Sequence, residues 1–289
     1  VKRTATGGAE LAAGRRGNPI HTIAIANQKG GVGKTTTAVN LAAGLAGKGF
    51  RTLLVDLDSQ RNATQSFFDT EQTEQMRTTL ADVLIGHNER LPLIEVLQQT
   101  HIDNLDLAPS HIRLAVVDKM NSLEEQYRLK EALDSLPQPY EFCILDCPHT
   151  LGMTLTQALL SSRYVLVPIA AEYLPLEGVV DLIDTIKAAK RPNPSLAVLG
   201  YLLTRFDQRE RVCAMARDTV LERFSELVFE TVVRRNTQLT LAPAYRKSIY
   251  EMAPRSAGSS DYADLTEEVL ARLEITSHLS LVGSKEAAS

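Results

Sequence analysis

The chain has no tryptophan, and aromatic residues make up only 5% of its 289 positions. A protein that reads bases by stacking them on rings needs such side chains, so the composition argues against a dedicated base-stacking nucleic-acid reader. Cysteine is scarce as well. Cys143, Cys147 and Cys213 are too few for a disulfide scaffold and fit a reducing cytosol. The longest apolar runs, 164–171 and 196–203, are strand-sized and fall short of the roughly 18–20 residues of a membrane span. No apolar stretch follows the first basic residues, so a secretory signal is not expected. Nor does one sign of charge dominate, the formal net charge being -4. What remains is 44% hydrophobic and 23% charged residues. That is enough apolar surface to build a core and to exclude disorder throughout.

Charge is unevenly spread. Residues 1–55 are basic, 56–150 are acidic, and 200–256 are basic again. A polyanionic partner therefore needs a local basic face, since the molecule as a whole repels it. Residues 1–19 carry four glycines, no apolar period, and Lys2, Arg3, Arg15 and Arg16 against Glu10. They read as a flexible basic tail, either solubilising or touching nucleic acid. Continuous apolar runs at 22–26, 52–57, 105–108, 142–145, 164–169 and 197–203 read as buried strands. Between or after them, 35–48, 120–136, 153–161, 178–190, 212–227 and 264–273 have helical spacing. The alternation predicts an α/β fold: a single doubly wound, mostly parallel sheet with helices on both faces. One domain is expected over 20–275, followed by a C-terminal tail, 276–289.

The first strand leads into Asn27-Gln28-Lys29-Gly30-Gly31-Val32-Gly33-Lys34-Thr35-Thr36 and then a helix. This is the context a phosphate-binding P-loop requires. Glycines let backbone N–H groups turn inward around phosphate oxygens, and the helix N-terminus adds partial positive charge. Lys34 would reach the β- and γ-phosphates, and the Thr35 hydroxyl would ligate Mg²⁺. The common pattern has glycine where Gln28 stands, and this loop carries a second lysine, Lys29. The second strand ends in Asp56-Leu57-Asp58, whose alternation puts both acids on one side at the ligand-binding edge of the sheet. The apolar strand ending at Asp146 has the shape of a Walker-B segment, holding Mg²⁺ directly or through water.

These residues resemble a known family. Lys29 to Thr36 is similar to the deviant Walker A of the ParA/MinD ATPases. Val55-Asp56-Leu57-Asp58-Ser59-Gln60-Arg61-Asn62-Ala63-Thr64 resembles the family's VDxDPQGNAT. Asp146-Cys147-Pro148 resembles its Asp-x-Pro-Pro. The segments 171–178 and 235–243 resemble AEYxxLEG and the end of PRNxRLxEAP. The match covers about residues 20–273 and is closest to the small chromosomal ParA (Soj) branch.

The resemblance implies a P-loop ATPase using ATP and Mg²⁺, with weak, partner-stimulated hydrolysis and a nucleotide sandwich homodimer. It also implies nonspecific DNA binding, a ParB-type centromere-binding partner that stimulates hydrolysis, and a place in the cytoplasm at the nucleoid, serving chromosome or plasmid segregation. Lys29 matches the lysine that crosses to the other subunit's phosphates. Asp58 matches the carboxylate that positions the attacking water, the other reading being a carboxylate behind the Mg²⁺ shell. Asp56 and Asp146 join Thr35 as metal-site residues. The stretch Arg234-Arg235-Asn236 falls where the family approaches the base, and Arg234 replaces a proline there, so it would stack on adenine. Arg209 matches a position linked to DNA, with Arg234 or Arg235 beside it on a basic face.

Other departures are Ser59 for proline, Arg61 for glycine, His149 for the second proline and Gln238 for arginine. Thr204-Arg205-Phe206-Asp207 looks like the guanine-reading motif of other P-loop proteins, though adenine remains the expected base. Three competing readings share the loop. A membrane-positioning ATPase of the MinD kind would need a basic amphipathic C-terminal helix, which the short 275–283 run does not supply. A metabolic or electron-transfer enzyme would need cluster-spaced cysteines, which Cys143 and Cys147 are not. An ATPase that positions protein complexes over the nucleoid would share the chemistry and differ in cargo.

Overall fold

A computed structural model of the chain describes residues 20–86, 89–137, 140–172, 176 and 178–275. Both tails expected from the sequence, and half of the AEYLPLEG segment, lie outside the described residues. Eight strands form one sheet: β1 His21–Ile25, β2 Thr52–Asp56, β3 Gln98–Gln99, β4 Leu105–Ala108, β5 Phe142–Asp146, β6 Tyr164–Ala170, β7 Ala197–Phe206 and β8 Val228–Arg234. Their order is β3-β4-β2-β5-β1-β6-β7-β8. Every pairing is parallel except β3 with β4.

Strand alternation sorts the side chains into two cores. Ala24, Leu53, Val55, Cys143 and Leu145 pack on one face with residues of helices Met153–Ser161 and Val179–Ala189. Ile23, Ile25, Leu54, Phe142 and Ile144 pack on the other with helices Lys34–Gly47 and Ala257–Arg272. A sheet covered on both faces requires its central strands to be apolar throughout, and β2 and β5 are buried along their whole length. Among the described residues no helix is long and apolar enough to cross a membrane.

Several elements differ from the sequence reading: the last helix, expected over 264–273, begins at Ala257, and three others bear on the fold. The helix expected over 120–136 is an α-helix only at Arg128–Asp134, preceded by a 3-10 turn at Glu125–Tyr127. The Glu125 carboxylate accepts the N–H groups of Asn121 and Ser122, which turns the chain before the helix begins. The helix Arg211–Phe224 stops short of 227 because Ser225 takes φ 47. The edge strand β8 was not anticipated: Glu230 faces solvent within it, which breaks the apolar run that marks the inner strands.

Candidate functional site

The carboxyl ends of β1, β2 and β5 meet below the loop 27–33. Gly31 and Gly33 take φ +73 and +88, the left-handed region that glycine enters without a side-chain clash, and Gly33 caps the helix Lys34–Gly47. Two side chains hold the loop in place through three hydrogen bonds. Asn27 donates from Nδ2 to the Pro168 carbonyl at 2.7 Å and accepts the Lys29 N–H on Oδ1 at 3.0 Å. The Thr204 hydroxyl donates to the Val32 carbonyl at 2.8 Å. The loop is therefore organised before any ligand arrives.

Lys34 is 8% exposed, and its ammonium donates to the Lys29 carbonyl at 3.2 Å. Burial lowers its pKa, while Asp146, Cys147 and Asp58 pull it back up. Lys29 behaves differently. It does not line the cleft, and its ammonium sits 3.7 Å from Glu172, which also accepts from Arg205 at 3.0 Å.

The three acids have separate fates. Asp56 is fully buried. Its Oδ2 accepts the N–H and hydroxyl of Thr64 at 2.8 and 2.7 Å, and its Oδ1 accepts the Asp58 N–H at 3.2 Å. Burial raises its pKa to about 7 even so. Both oxygens are engaged in folding the loop 58–64 under the site, next to Asp146, which the sequence reading placed with it at the metal. Asp58 lines the cleft, its Oδ1 accepting the Gln60 N–H at 2.9 Å and its carbonyl accepting the Ser110 hydroxyl at 2.6 Å.

Asp146 is fully buried, and neither carboxylate oxygen accepts a hydrogen bond. Burial and then Asp56 push its pKa well above the usual range, opposed by Thr35 and Lys34. A buried carboxylate in this state is costly, and a cation beside Thr35 would relieve it. Among the described residues no group of three or more His, Cys, Asp or Glu stands together to cage a metal. Mg²⁺ is held by one or two protein groups together with waters and phosphate oxygens, a role Thr35 and Asp146 would fill.

The cleft above these residues has a volume of about 1060 Å³. Gly30, Gly31, Gly33, Lys34, Thr35, Thr36 and Asp58 line its phosphate-loop wall, and residues 233–247 supply another. His149, exposed, stands at its margin. Val32 is turned into the core, so only its backbone serves the loop.

The basic residues predicted from sequence divide in two. Arg209 is 85% exposed and forks onto Asp207 through Nε at 3.0 Å and Nη2 at 2.7 Å, holding that carboxyl far below its ordinary pKa. This pairing also removes Asp207 as a free acceptor for a guanine edge. Arg235 pairs with Glu210 at 3.0 Å. Arg234, expected both at the nucleotide and at DNA, lines the cleft, and its Nε donates to Asp261 at 2.9 Å. Arg235 and Asn236 line the cleft too, and Asn236 caps the short helix Thr237–Leu241. Cys143, Cys147 and Cys213 are buried and free.

Sequence reasoning missed Thr64, Thr204, Glu172 and Asp261. Thr64 lay inside a quoted motif and was readable there. Glu172 and Asp261 act on partners 143 and 27 positions away in the chain, where no spacing rule reaches.

Residues 20–198 match the family model described as an AAA domain. The chain is 40% identical over 253 residues to the sporulation initiation inhibitor protein Soj of Bacillus subtilis, covering 86% of this chain and 98% of that protein. It is 36% identical over 260 residues to the chromosome partitioning protein ParA of Caulobacter vibrioides, covering 88% and 96%. Among solved structures, cobyrinic acid a,c-diamide synthase of Mycobacterium smegmatis with bound ADP and magnesium superposes with TM-score 0.75 at 30% identity, over 88% of this chain and 96% of that one.

Proposed function

The chain belongs to the ParA/Soj family of AAA-domain ATPases, and from that premise we propose that it is a DNA-partitioning ATPase. The cleft would take Mg²⁺ and ATP, the loop 29–36 holding the triphosphate and Thr35 and Asp146 serving as the residues that hold the ion. Mg²⁺, when bound, neutralises phosphate charge during transfer to water. Lys34 holds the phosphates, and Asp58, oriented by the Gln60 N–H, accepts a proton from the attacking water or fixes its position. The domain runs over 20–275.

The observation that carries this reading is the division of labour between the two loop lysines. Lys34 is buried in the cleft, whereas Lys29 lies outside it against Glu172. One chain therefore supplies one ammonium to its own phosphates and presents the other to a neighbour. A second copy, clasping its own ATP, completes both sites. A lysine supplied in trans stabilises transferring charge as an arginine finger does.

The dimer brings two copies of the exposed Arg209 and Arg235 onto one face and binds DNA phosphates without sequence preference. A ParB-type centromere-binding protein stimulates hydrolysis and releases the dimer, in the cytoplasm at the nucleoid. The likeness to a diamide synthase is served by the same loop and ion. What separates the readings is the response to DNA.

The experiment measures DNA binding with ATP, ADP and no nucleotide, for wild type and for Lys29→Ala and Asp58→Ala. Wild type binds DNA only with ATP, with affinity falling steeply as salt rises. Lys29→Ala abolishes this binding, and Asp58→Ala retains it while losing turnover. Binding that ignores nucleotide, or a protein that stays monomeric on a non-hydrolysable triphosphate, overturns the proposal.

A further inference from the structure

Away from the nucleotide cleft, an apolar groove lies between the C-terminal half of helix Lys34–Gly47, the short helix Ile249–Met252, helix Ala257–Arg272 and the turn before β4. Its volume is about 510 Å³, and Ala43, Gly47, Ile102, Tyr250, Ala263 and Thr266 line it. A side chain at Gly47 would meet open space. The Tyr250 hydroxyl is buried there without a hydrogen-bond partner. Both cations that line the groove face acids: Lys48 pairs with Glu267, and His101 meets Glu251 at 3.0 Å. The groove therefore suits an uncharged aliphatic occupant that brings one hydrogen-bond acceptor.

The chain carries such a segment. The stretch 276–284, beyond the described residues, has no Lys, Arg, Asp or Glu and contains Leu279, Leu281 and Val282. Helix Ala257–Arg272 runs alongside helix Lys34–Gly47, Tyr262 meeting Thr37 at 3.2 Å and Glu267 meeting Lys48, so it ends beside the groove. Glu267 and Ala263 precede Ile275 by 8 and 12 residues, which is about 12 and 18 Å of helix. A chain turning back in an extended path covers about 13 Å in four residues and about 20 Å in six. That brings Leu279 level with Glu267 and Leu281 level with Ala263, and residues two apart in such a path face the same way.

We propose that residues 279–282 fold back into this groove of their own chain, with Leu279 and Leu281 on its apolar floor and a main-chain carbonyl accepting the Tyr250 hydroxyl. The segment then straps helices Ile249–Met252 and Ala257–Arg272 to the helix that starts at the phosphate loop, and its leucines are withheld from lipid. The assignment is independent of the ATP and DNA readings.

Two variants of the whole chain test it. Leu279→Asp with Leu281→Asp lowers the melting temperature by about 5 °C. The same variant binds the apolar dye ANS several-fold more than wild type, because the groove opens. In Gly47→Cys with Leu281→Cys, where the native cysteines stay buried, a short bis-maleimide links the two sites within one chain at dilute protein. An unchanged melting temperature or unchanged dye binding in the double aspartate variant overturns the proposal. So does absent linkage, or linkage only between chains, which gives the groove to a second copy. Wild-type protein that pellets with phosphatidylglycerol vesicles, and no longer does so with the two aspartates, also overturns it and gives the leucines to a membrane.

Discussion

Asp56 and Asp146 end adjacent strands, pair with each other in register and are both fully buried, yet their surroundings are opposite. Asp56 accepts three hydrogen bonds from Thr64 and Asp58. Asp146 accepts none. The same residue type at the same depth is tied into a turn in one strand and left without a hydrogen-bond partner in the next. Burial alone therefore does not assign function; satisfaction of the oxygens does. A buried carboxylate without a partner calls for a counter-group, which is the place proposed above for Mg²⁺.

The largest effect that sharpens this contrast concerns turnover. Asp146→Asn should lower ATP hydrolysis on the order of 100-fold, through loss of the ion that neutralises the phosphates. The same variant should melt no lower than wild type in the absence of ligand, because the buried carboxyl it replaces is already held neutral by its raised pKa. A marked drop in its melting temperature would place Asp146 with Asp56 as a structural group.

Asp56→Ala should do the reverse. Thr64 and the Asp58 N–H lose their acceptor, and unfolding titrations should show a loss of about 2–4 kcal/mol. A variant of wild-type stability would break the comparison.

Acidity gives a third handle. Both carboxyls have folded-state pKa values raised above the ordinary carboxylate range, Asp56 to about 7. The folded protein keeps these protons after the unfolded chain has lost them. The stability tied to them is complete below the unfolded pKa and is lost as pH rises through the folded pKa, near 7 for Asp56. Ligand-free melting temperatures should fall across that window, and Mg²⁺ with nucleotide should shrink the fall. Asp146→Asn should flatten it.

The smallest effect lies in the loop that Asp56 anchors. Arg61 stands where the family has glycine, and it takes φ 63. Arg61→Gly relieves a left-handed backbone but frees the unfolded chain, for a net gain of about 0.5 kcal/mol by chemical denaturation. A loss would mean that the arginine side chain makes a contact worth more than its strain.

Much of this was legible beforehand because it is local. The phosphate loop, its helix and the buried strands β1, β2, β5, β6 and β7 are runs of neighbouring residues whose spacing states their geometry. Two acids separated by one residue do share a side of a strand, and the reading of Asp56 and Asp58 went that far. It stopped there because the hydrogen-bond partners of Asp56 lie in the turn 58–64, whose fold spacing does not reveal. Edge strand β8 stayed hidden for a related reason, since its polar face meets solvent and carries no apolar signal.

Chemical order along the chain was enough to say that phosphate, magnesium and a second lysine belong to one loop. Packing had to choose among groups that composition makes equal: which aspartate is left without a partner, which lysine faces outward, and which acid pairs with each arginine. Those choices depend on partners such as Glu172 and Asp261, distant in sequence and adjacent only after the sheet has formed. Whether a charged group is satisfied is a property of its neighbours in space, and that neighbourhood comes into being only on folding.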